Sequence, residues 1–153
     1  MIQASDSAEG GCRCGRVRFR VVGPPLFTAA CHCRGCQRMT GSAFSVSGGY
    51  PVEKFALIAG DTVIGGLHGA TRHHFCSHCM SWLFTRPEGI DAFVNVRTTL
   101  LDVPPGEPPF LETCTAELLP WAQTGATHSF ESYPPPDAFG PLVAEFTARR
   151  TGG

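Results

Sequence analysis

The pattern of apolar and polar residues along the chain indicates short β-strands separated by tight turns. Arg16–Val21 alternates polar and apolar residues with a period of two, as a half-buried strand does, and Leu26–Ala30 has the composition of a second short strand. Six further runs of this kind are Ala43–Val46, Phe55–Ile58, Thr62–Ile64, Arg72–Phe75, Trp82–Phe84 and Ala92–Val96. Glycine-containing turns separate several of them. The pattern therefore predicts a mainly β fold with antiparallel strands.

Two short helices are predicted within this pattern. Arg34–Thr40 contains no proline and is followed by Gly41, a residue typical of the position just after a helix. Pro141–Arg149 begins with proline, which favours a helix start. Its apolar face consists of Leu142, Val143 and Phe146. The expected organisation is a flexible N-terminus over residues 1–9, one domain over 10–132 and a proline-rich arm with a terminal helix over 133–153.

Composition and charge narrow the classes of function. With 153 residues, 42% of them apolar, the chain is long enough for one domain with a sizeable core. The formal net charge is −1, from 12 basic and 13 acidic residues, so no positive field attracts nucleic acid and no nucleic-acid partner is expected. Residues 1–6 lack the features of a signal peptide, and no run approaches the roughly 18 apolar residues of a membrane span. We therefore expect a cytoplasmic protein without membrane association, and a homodimer is one assembly that the sequence leaves open.

Seven of the eight cysteines lie in three clusters with the spacing of metal ligands. These are Cys12 and Cys14, then Cys31, Cys33 and Cys36, then Cys76 and Cys79. An unstrained disulfide needs Cα atoms about 5.5–6 Å apart, and thiols in a reducing cytoplasm stay reduced unless a metal binds them. Thiolate ligands in this number favour Zn²⁺, which binds four of them in a tetrahedron. Pairing the first cluster with the third predicts a closed, structural zinc site.

The remaining cluster, within Cys31–Cys36, supplies three ligands from one turn. Three protein ligands with an open fourth position are the pattern of a catalytic zinc, so these three cysteines are the predicted catalytic residues. Cys114 is interpreted as a small buried hydrophobic residue, with a distant fourth ligand as the alternative, which would disfavour catalysis. His32 lies between two of the ligands and is expected to pack or to orient the turn rather than to bind the metal.

Four segments of the chain match the motifs of a known family, and a Pro-Trp pair at residues 120–121 matches less well. They are Gly10–Gly15, Cys31–Gly41, Phe75–Cys79 and Val96–Asp102. In order and spacing they resemble the glutathione-dependent formaldehyde-activating enzyme and centromere protein V family. The resemblance implies a mainly β, Mss4-like fold and two zinc ions bound by the clusters as partitioned above. Family members carry a glycine after the second CxxC cysteine, where a positive φ suits the turn, and Met80 stands there in this chain.

The resemblance also implies an activity of the carbon–sulfur lyase type. Formaldehyde, or a related small aldehyde, would join reversibly to the thiol of glutathione to give S-hydroxymethylglutathione. We hypothesise that Arg34 and Arg38, on the helix that carries the three-cysteine cluster, bind carboxylates of glutathione, and the alternative is that they are solvated surface charges. The alternative function is a non-catalytic, zinc-stabilised module that binds a protein or a small ligand.

Overall fold

The computed structural model describes residues 6–152, which form eleven β-strands and two α-helices. The strands are β1 (Ser7–Gly11), β2 (Arg18–Val22), β3 (Phe27–Cys31), β4 (Ser45–Pro51), β5 (Phe55–Ala59), β6 (Thr62–Gly65), β7 (Arg72–Cys76), β8 (Trp82–Arg86), β9 (Phe93–Val96), β10 (Leu111–Thr113) and β11 (His128–Ser129). The helices are α1 (Arg34–Thr40) and α2 (Phe139–Thr151). The mainly β character predicted from the hydrophobic pattern is confirmed.

The chain divides into two compact units, and the first contains the described residues up to Pro25 together with Gly48–Pro105. In this unit β1, β2 and β5 form an antiparallel sheet in that order. A second antiparallel group has the order β4, β9, β8, β7 and β6, and β4 pairs with β9 through Gly48–Pro51. The predicted antiparallel pairing is confirmed in this unit. Several of its paired strands follow one another in the sequence, and a short connection lets consecutive strands run in opposite directions.

The core of the first unit includes two of the metal-ligand candidates. Cys76 is fully buried and Cys12 is 8% exposed, in a cluster with aromatic and aliphatic side chains such as Phe19 and Phe84. Strand β1 approaches this core closely, since a Cβ atom on Gly10 would lie 2.4 Å from the carbonyl oxygen of Leu100. Only glycine fits at such a distance. The packing of β1 therefore positions the loop that begins at Cys12.

The second unit contains Leu26–Ser47 and the described residues from Gly106 onward. In it β3 pairs with β10, and β11 pairs with the other edge of β10. Strand β10 runs parallel to both β3 and β11, so two parallel pairs accompany the antiparallel pairing that the sequence predicts. That prediction relied on turns between consecutive strands. β3 and β10 are far apart in the sequence, and a long connection of this kind permits parallel pairing.

Both predicted helices are confirmed. α1 has the predicted bounds, and Gly41 follows it in the left-handed conformation with a φ of 61°. α2 is longer than predicted and buries Leu142 and Phe146, whereas Val143 is only partly buried. The ring of Phe146 lies 5.3 Å from that of Phe110, the residue just before β10. α2 is therefore held to the second unit by the apolar face that the sequence indicated.

Part of the predicted flexible N-terminus is a strand. Residues 7–9 lie in β1, where Ser7 is opposite Val22 of β2. Backbone pairing of this kind needs no apolar side chain, so the hydrophobic pattern does not reveal it. Residues 1–5 lie outside the described residues, and the boundary at residue 132 stays a prediction. Within residues 6–152, neither helix has the length and apolar character needed to cross a lipid bilayer.

Candidate metal centres and active site

The four-cysteine cluster joins two loops of the first unit. Cys12 and Cys14 follow β1, Cys76 ends β7, and Cys79 lies in the turn before β8. Their four sulfur atoms lie within 4.8 Å of one another. The sulfur atoms are 3.5 Å apart for Cys12 and Cys14 and 3.8 Å apart for Cys14 and Cys76. Thiolates placed about 2.3 Å from a tetrahedral zinc are about 3.8 Å from one another. The predicted grouping is confirmed, and its spacing fits one metal ion.

The four thiols of this cluster differ in pKa: hydrogen bonding lowers that of Cys79, whereas for Cys14 the hydrogen bond from the Arg16 backbone is outweighed by burial and the neighbouring thiols, which raise the pKa to about 11. The backbone N–H groups of His78 and Cys79 each donate to Cys76 Sγ over 3.4 Å. The hydroxyl of Ser81 lies 3.3 Å from Cys79 Sγ, and this contact is the main reason that the pKa of Cys79 falls to about 5. Because only thiolates bind metal ions strongly, such contacts prepare the sulfur atoms as ligands. All eight cysteines of the chain are free of disulfides.

Met80 occupies the turn position at which glycine is expected. Its backbone has a φ of 60°, in the left-handed region, and its N–H donates to the carbonyl oxygen of Cys76 over 3.1 Å. The side chain is 59% exposed, so it gains little from burial. For a residue with a Cβ atom this conformation costs about 1–2 kcal/mol. The metal-binding turn therefore forms with methionine in this position, at the cost of local strain.

The three-cysteine cluster lies at the start of α1 in the second unit. Cys31 ends β3, Cys33 caps the N-terminus of α1, and Cys36 lies in the first turn. Their sulfur atoms lie within 4.8 Å of one another, so they can also hold one metal ion. The N–H of Cys36 donates to Cys33 Sγ over 3.3 Å, and the hydroxyl of Ser45 donates to Cys36 Sγ over 3.1 Å. The thiols are thus oriented by the helix cap and by β4.

These three thiols titrate unequally. The hydrogen bond with Cys36 lowers the pKa of Cys31 to about 4, and the same contact raises the pKa of Cys36 far above its ordinary value. Burial raises the pKa of Cys33. Without a metal ion, Cys31 is therefore the thiol of the three that loses its proton most readily. Metal binding must release the remaining thiol protons.

Within residues 6–152, no histidine, carboxylate or further cysteine joins the three-cysteine cluster within the same distance. Cys114 is 6% exposed and contacts both Cys31 and the hydroxyl of Tyr133, but it lies outside the group of three. Burial, followed by the nearby Cys31, raises the pKa of Cys114 to about 12. Cys114 is therefore a buried thiol beside the cluster and outside the group of three, which favours the first of its two interpretations.

His32 is completely buried, and neither of its ring nitrogens joins the cysteine cluster. Its Nε2 atom lies 2.9 Å from Glu112 Oε2. This arrangement agrees with the expectation that His32 orients the turn rather than binding the metal. Sequence analysis did not identify Glu112, because no motif marks it and only the pairing of β10 with β3 brings it near the cluster.

The two predicted ligand-binding arginines are exposed on α1. The guanidinium of Arg34 donates to Gln37 Oε1, and the Arg34 backbone N–H donates to Glu117 Oε1 over 3.3 Å. Arg38 lies in the last turn of α1, where a cation also stabilises the helix dipole. Its side chain forms no hydrogen bond or ion pair with the part of the chain that the structure describes. Binding of a ligand by either arginine stays a prediction.

A known protein family matches the part of the chain that contains both cysteine clusters. The sequence profile named "glutathione-dependent formaldehyde-activating enzyme" matches residues 7–117. This chain belongs to the glutathione-dependent formaldehyde-activating enzyme family. The part that matches this formaldehyde-activating family includes all seven clustered cysteines and Cys114, whereas Tyr133 and α2 follow it.

Two relatives of this family member illustrate the similarity. A Halomonas elongata protein, whose provisional name is that of a glutathione-dependent formaldehyde-activating enzyme, is 33% identical over 118 residues, which cover 63% of this chain and 69% of the relative. A crystal structure of a Rhodobacter sphaeroides protein superposes with a TM-score of 0.51 at 17% identity, covering 61% of this chain and 87% of that one. At such low identity the second likeness shows a shared fold only. The predicted fold class, mainly β with short helices, is confirmed.

Proposed function

We propose that this protein is a zinc enzyme of the carbon–sulfur lyase type that reversibly joins formaldehyde, or a related small aldehyde, to glutathione. The three-cysteine cluster is the proposed active site, and the four-cysteine cluster is the proposed structural zinc site. Family membership and the name of the Halomonas elongata relative support glutathione and formaldehyde as substrates. The observation that carries the proposal is a cluster of three sulfur atoms that no histidine, carboxylate or further cysteine among residues 6–152 joins within 4.8 Å.

The proposed reaction involves no oxidation or reduction. The thiol of glutathione loses its proton, its sulfur forms a bond to the carbonyl carbon, and the carbonyl π electrons move to the oxygen, which takes up a proton. The reverse reaction breaks the same carbon–sulfur bond. A zinc ion held by three cysteines, with one position open, would supply an electropositive centre that favours the thiolate of the substrate.

The residues around the cluster have complementary roles in this proposal. Ser45 donates a hydrogen bond to Cys36 Sγ and the Cys36 N–H donates one to Cys33 Sγ, and these contacts fix the direction of the two sulfur atoms. The hydroxyl of Tyr133 contacts the thiol of Cys114, beside the cluster, and it is protonated at neutral pH as in an ordinary tyrosine; burial, followed by the charge of Cys31, raises its pKa further. We assign Tyr133 the role of hydrogen-bond donor to the oxygen that becomes negative.

Exchange NMR tests the activity. The uncatalysed reaction also proceeds, so the measurement is the rate at which free glutathione and its formaldehyde adduct interconvert. We expect zinc-loaded protein to accelerate the exchange in proportion to its concentration, and Cys33→Ser to remove the acceleration. Val103→Ser is the control for the effects of mutagenesis and purification, because Val103 is 86% exposed and its replacement should leave the activity unchanged. If fully zinc-loaded wild-type protein does not accelerate the exchange, the proposal is wrong and the non-catalytic binding module is favoured.

Calorimetry with glutathione tests the two arginines. If Arg38 binds a carboxylate of glutathione, Arg38→Ala should raise the Kd about tenfold, the lower end of what a hydrogen bond between charged groups contributes. Arg38→Lys should recover only part of the affinity, because lysine keeps the charge but not the two-pronged geometry. Arg34→Ala should have the smaller effect, since the Arg34 guanidinium already donates to Gln37. An unchanged Kd in Arg38→Ala would leave this residue as a solvated surface charge.

We further propose that the protein works in a reducing compartment, the cytoplasm. The eight free thiols support this location, because disulfides rarely persist there and clustered thiols remain available to metal ions. Fractionation of cells followed by immunoblotting tests it, and recovery of the protein outside the cytoplasmic fraction would contradict it.

A further inference from the structure

A network of polar groups lies behind the three-cysteine cluster, and its centre is Glu112. The carboxylate of Glu112 lies 2.9 Å from His32 Nε2. It also accepts hydrogen bonds from the hydroxyls of Thr124 over 2.9 Å and Ser129 over 2.6 Å. The Glu112 side chain is only 13% exposed. A carboxylate in such surroundings needs several donors to offset the loss of hydration, and these three side chains provide them.

The hydrogen bonds keep Glu112 ionised. Burial alone would raise its pKa, but the bonds from Ser129, His32 and Thr124 outweigh burial and lower the pKa below its ordinary value. An ionised carboxylate only accepts hydrogen bonds, so His32 Nε2 is the donor to Glu112. Glu112 therefore determines which ring nitrogen of His32 carries the hydrogen, and it fixes the orientation of the ring.

His32 is held at its backbone as well as at its ring. Its N–H donates to the carbonyl oxygen of Thr113 over 3.0 Å, and its own carbonyl oxygen accepts from Gln37 Nε2 over 2.8 Å. The ring centroid lies 5.3 Å from that of Phe44. His32 stands directly between Cys31 and Cys33, so a rotation of its backbone would move both neighbouring sulfur atoms. The orientation of His32 is thus coupled to the geometry of the metal-binding turn.

We propose that Glu112, acting through His32, is a positioning residue that holds Cys31 and Cys33 in the geometry that binds metal. The inference requires the three-cysteine cluster to bind a metal ion, as in the proposed function, but not that the protein catalyses any reaction. Partners of metal-site residues commonly change metal affinity about 10–100-fold when they are removed. Glu112 differs from the usual arrangement, because it orients the residue between two ligands rather than a ligand itself.

Titration of the full-length, metal-free protein with Co²⁺ tests the proposal, because thiolate-bound Co²⁺ has characteristic absorption bands. We expect Glu112→Ala to weaken binding at the three-cysteine cluster about 10–100-fold and to shift its absorption bands, while binding at the four-cysteine cluster stays unchanged. Glu112→Gln should restore most of the affinity, since its amide oxygen can still accept from His32. Cys33→Ser, which removes a ligand, identifies the bands that belong to the three-cysteine cluster.

Glu145→Ala is a matched control. Glu145 Oε2 lies 2.8 Å from His128 Nε2, so it forms a second histidine–glutamate pair in the same unit, but neither residue contacts the cluster. This control should bind Co²⁺ as the wild type does. Unchanged affinity and spectrum in Glu112→Ala, or equal weakening at both clusters, would overturn the proposal. If Glu112→Ala does not fold, Glu112→Asp replaces it, because it keeps the charge but withdraws the carboxylate from His32. Wild-type affinity in Glu112→Asp would likewise overturn the proposal.

Discussion

Serine substitution should affect the two cysteine clusters very differently, and Cys76 is the more sensitive position. Cys76 is fully buried in the core of the first unit and accepts two backbone N–H groups over 3.4 Å. Each hydrogen bond to a charged sulfur contributes about 1.5–3 kcal/mol. A structural zinc contributes about 10–16 kcal/mol of binding free energy, against a net domain stability of about 5–15 kcal/mol. Loss of even part of the metal-binding energy in Cys76→Ser should therefore prevent stable folding.

Cys33→Ser should leave the protein folded. Cys33 is partly exposed, and its main structural contact is the N–H of Cys36, through which it caps α1. Serine is among the preferred residues at a helix N-cap, so the substitution keeps this contact. We expect the free energy of unfolding to change by less than about 1 kcal/mol, the typical contribution of a helix cap. The variant should nevertheless lose the metal ion at its cluster.

Circular dichroism melting curves and zinc analysis of both variants measure this difference. We expect Cys33→Ser to melt within about 2–4 °C of the wild type, the shift that 1 kcal/mol produces in a protein of this size, and to contain one zinc ion fewer. Cys76→Ser should show no cooperative transition. Equal destabilisation of the two variants would refute the reasoning, because it would mean that both clusters are structural.

Three further predictions concern residues near the clusters. Met80→Gly should raise the free energy of unfolding by about 0.5–1 kcal/mol, since glycine relieves the strain of the positive φ but is more flexible in the unfolded chain. Met80→Ala keeps the strain, and equal urea midpoints for the two variants would contradict this explanation. Cys114→Ser should retain the zinc content of the wild type in elemental analysis, because Cys114 lies outside the group of three, whereas the loss of one zinc would identify it as a ligand. After metal is removed from the three-cysteine cluster, iodoacetamide at pH 6 should label Cys31 before Cys114, because the thiolate is the reactive form and the pKa is about 4 for Cys31 and about 12 for Cys114. Peptide mass spectrometry measures the order, and earlier labelling of Cys114 would contradict it.

The strands that sequence analysis missed lack a strong hydrophobic pattern. β1 (Ser7–Gly11) consists of small and polar residues, β10 (Leu111–Thr113) has only three residues, and β11 (His128–Ser129) has only two. Each forms because a neighbouring strand offers backbone partners, β2 for β1, β3 for β10 and β10 for β11. Such pairing depends on where another segment of the chain lies, and the local sequence carries no information about that position. Strands with a clear alternation, such as β2 (Arg18–Val22), were predicted to within two residues.

Each cysteine motif could be predicted because its members are local, and the four ligands that a closed zinc site needs then paired the first motif with the third. The Cys-X-Cys pair, the Cys-X-X-Cys pair and the Cys31–Cys36 turn each place sulfur atoms a few residues apart, so chain geometry alone brings them near a common point. The helix α1 and its end at Gly41 follow from equally local preferences. Ligand type, ligand number and short spacing were therefore sufficient to propose two metal centres and to propose that one of them is open.

The surroundings of the three-cysteine cluster depend on contacts between distant parts of the chain. Glu112 reaches His32 because β10 runs parallel to β3, and Cys114 lies beside Cys31 for the same reason. Tyr133 comes from the segment beyond the family match. Strand register determines which side chains face one another, and it arises from the packing of the whole unit rather than from any motif. The local sequence therefore specifies which atoms can bind a metal ion, whereas tertiary packing decides which groups orient them and which groups can meet a substrate.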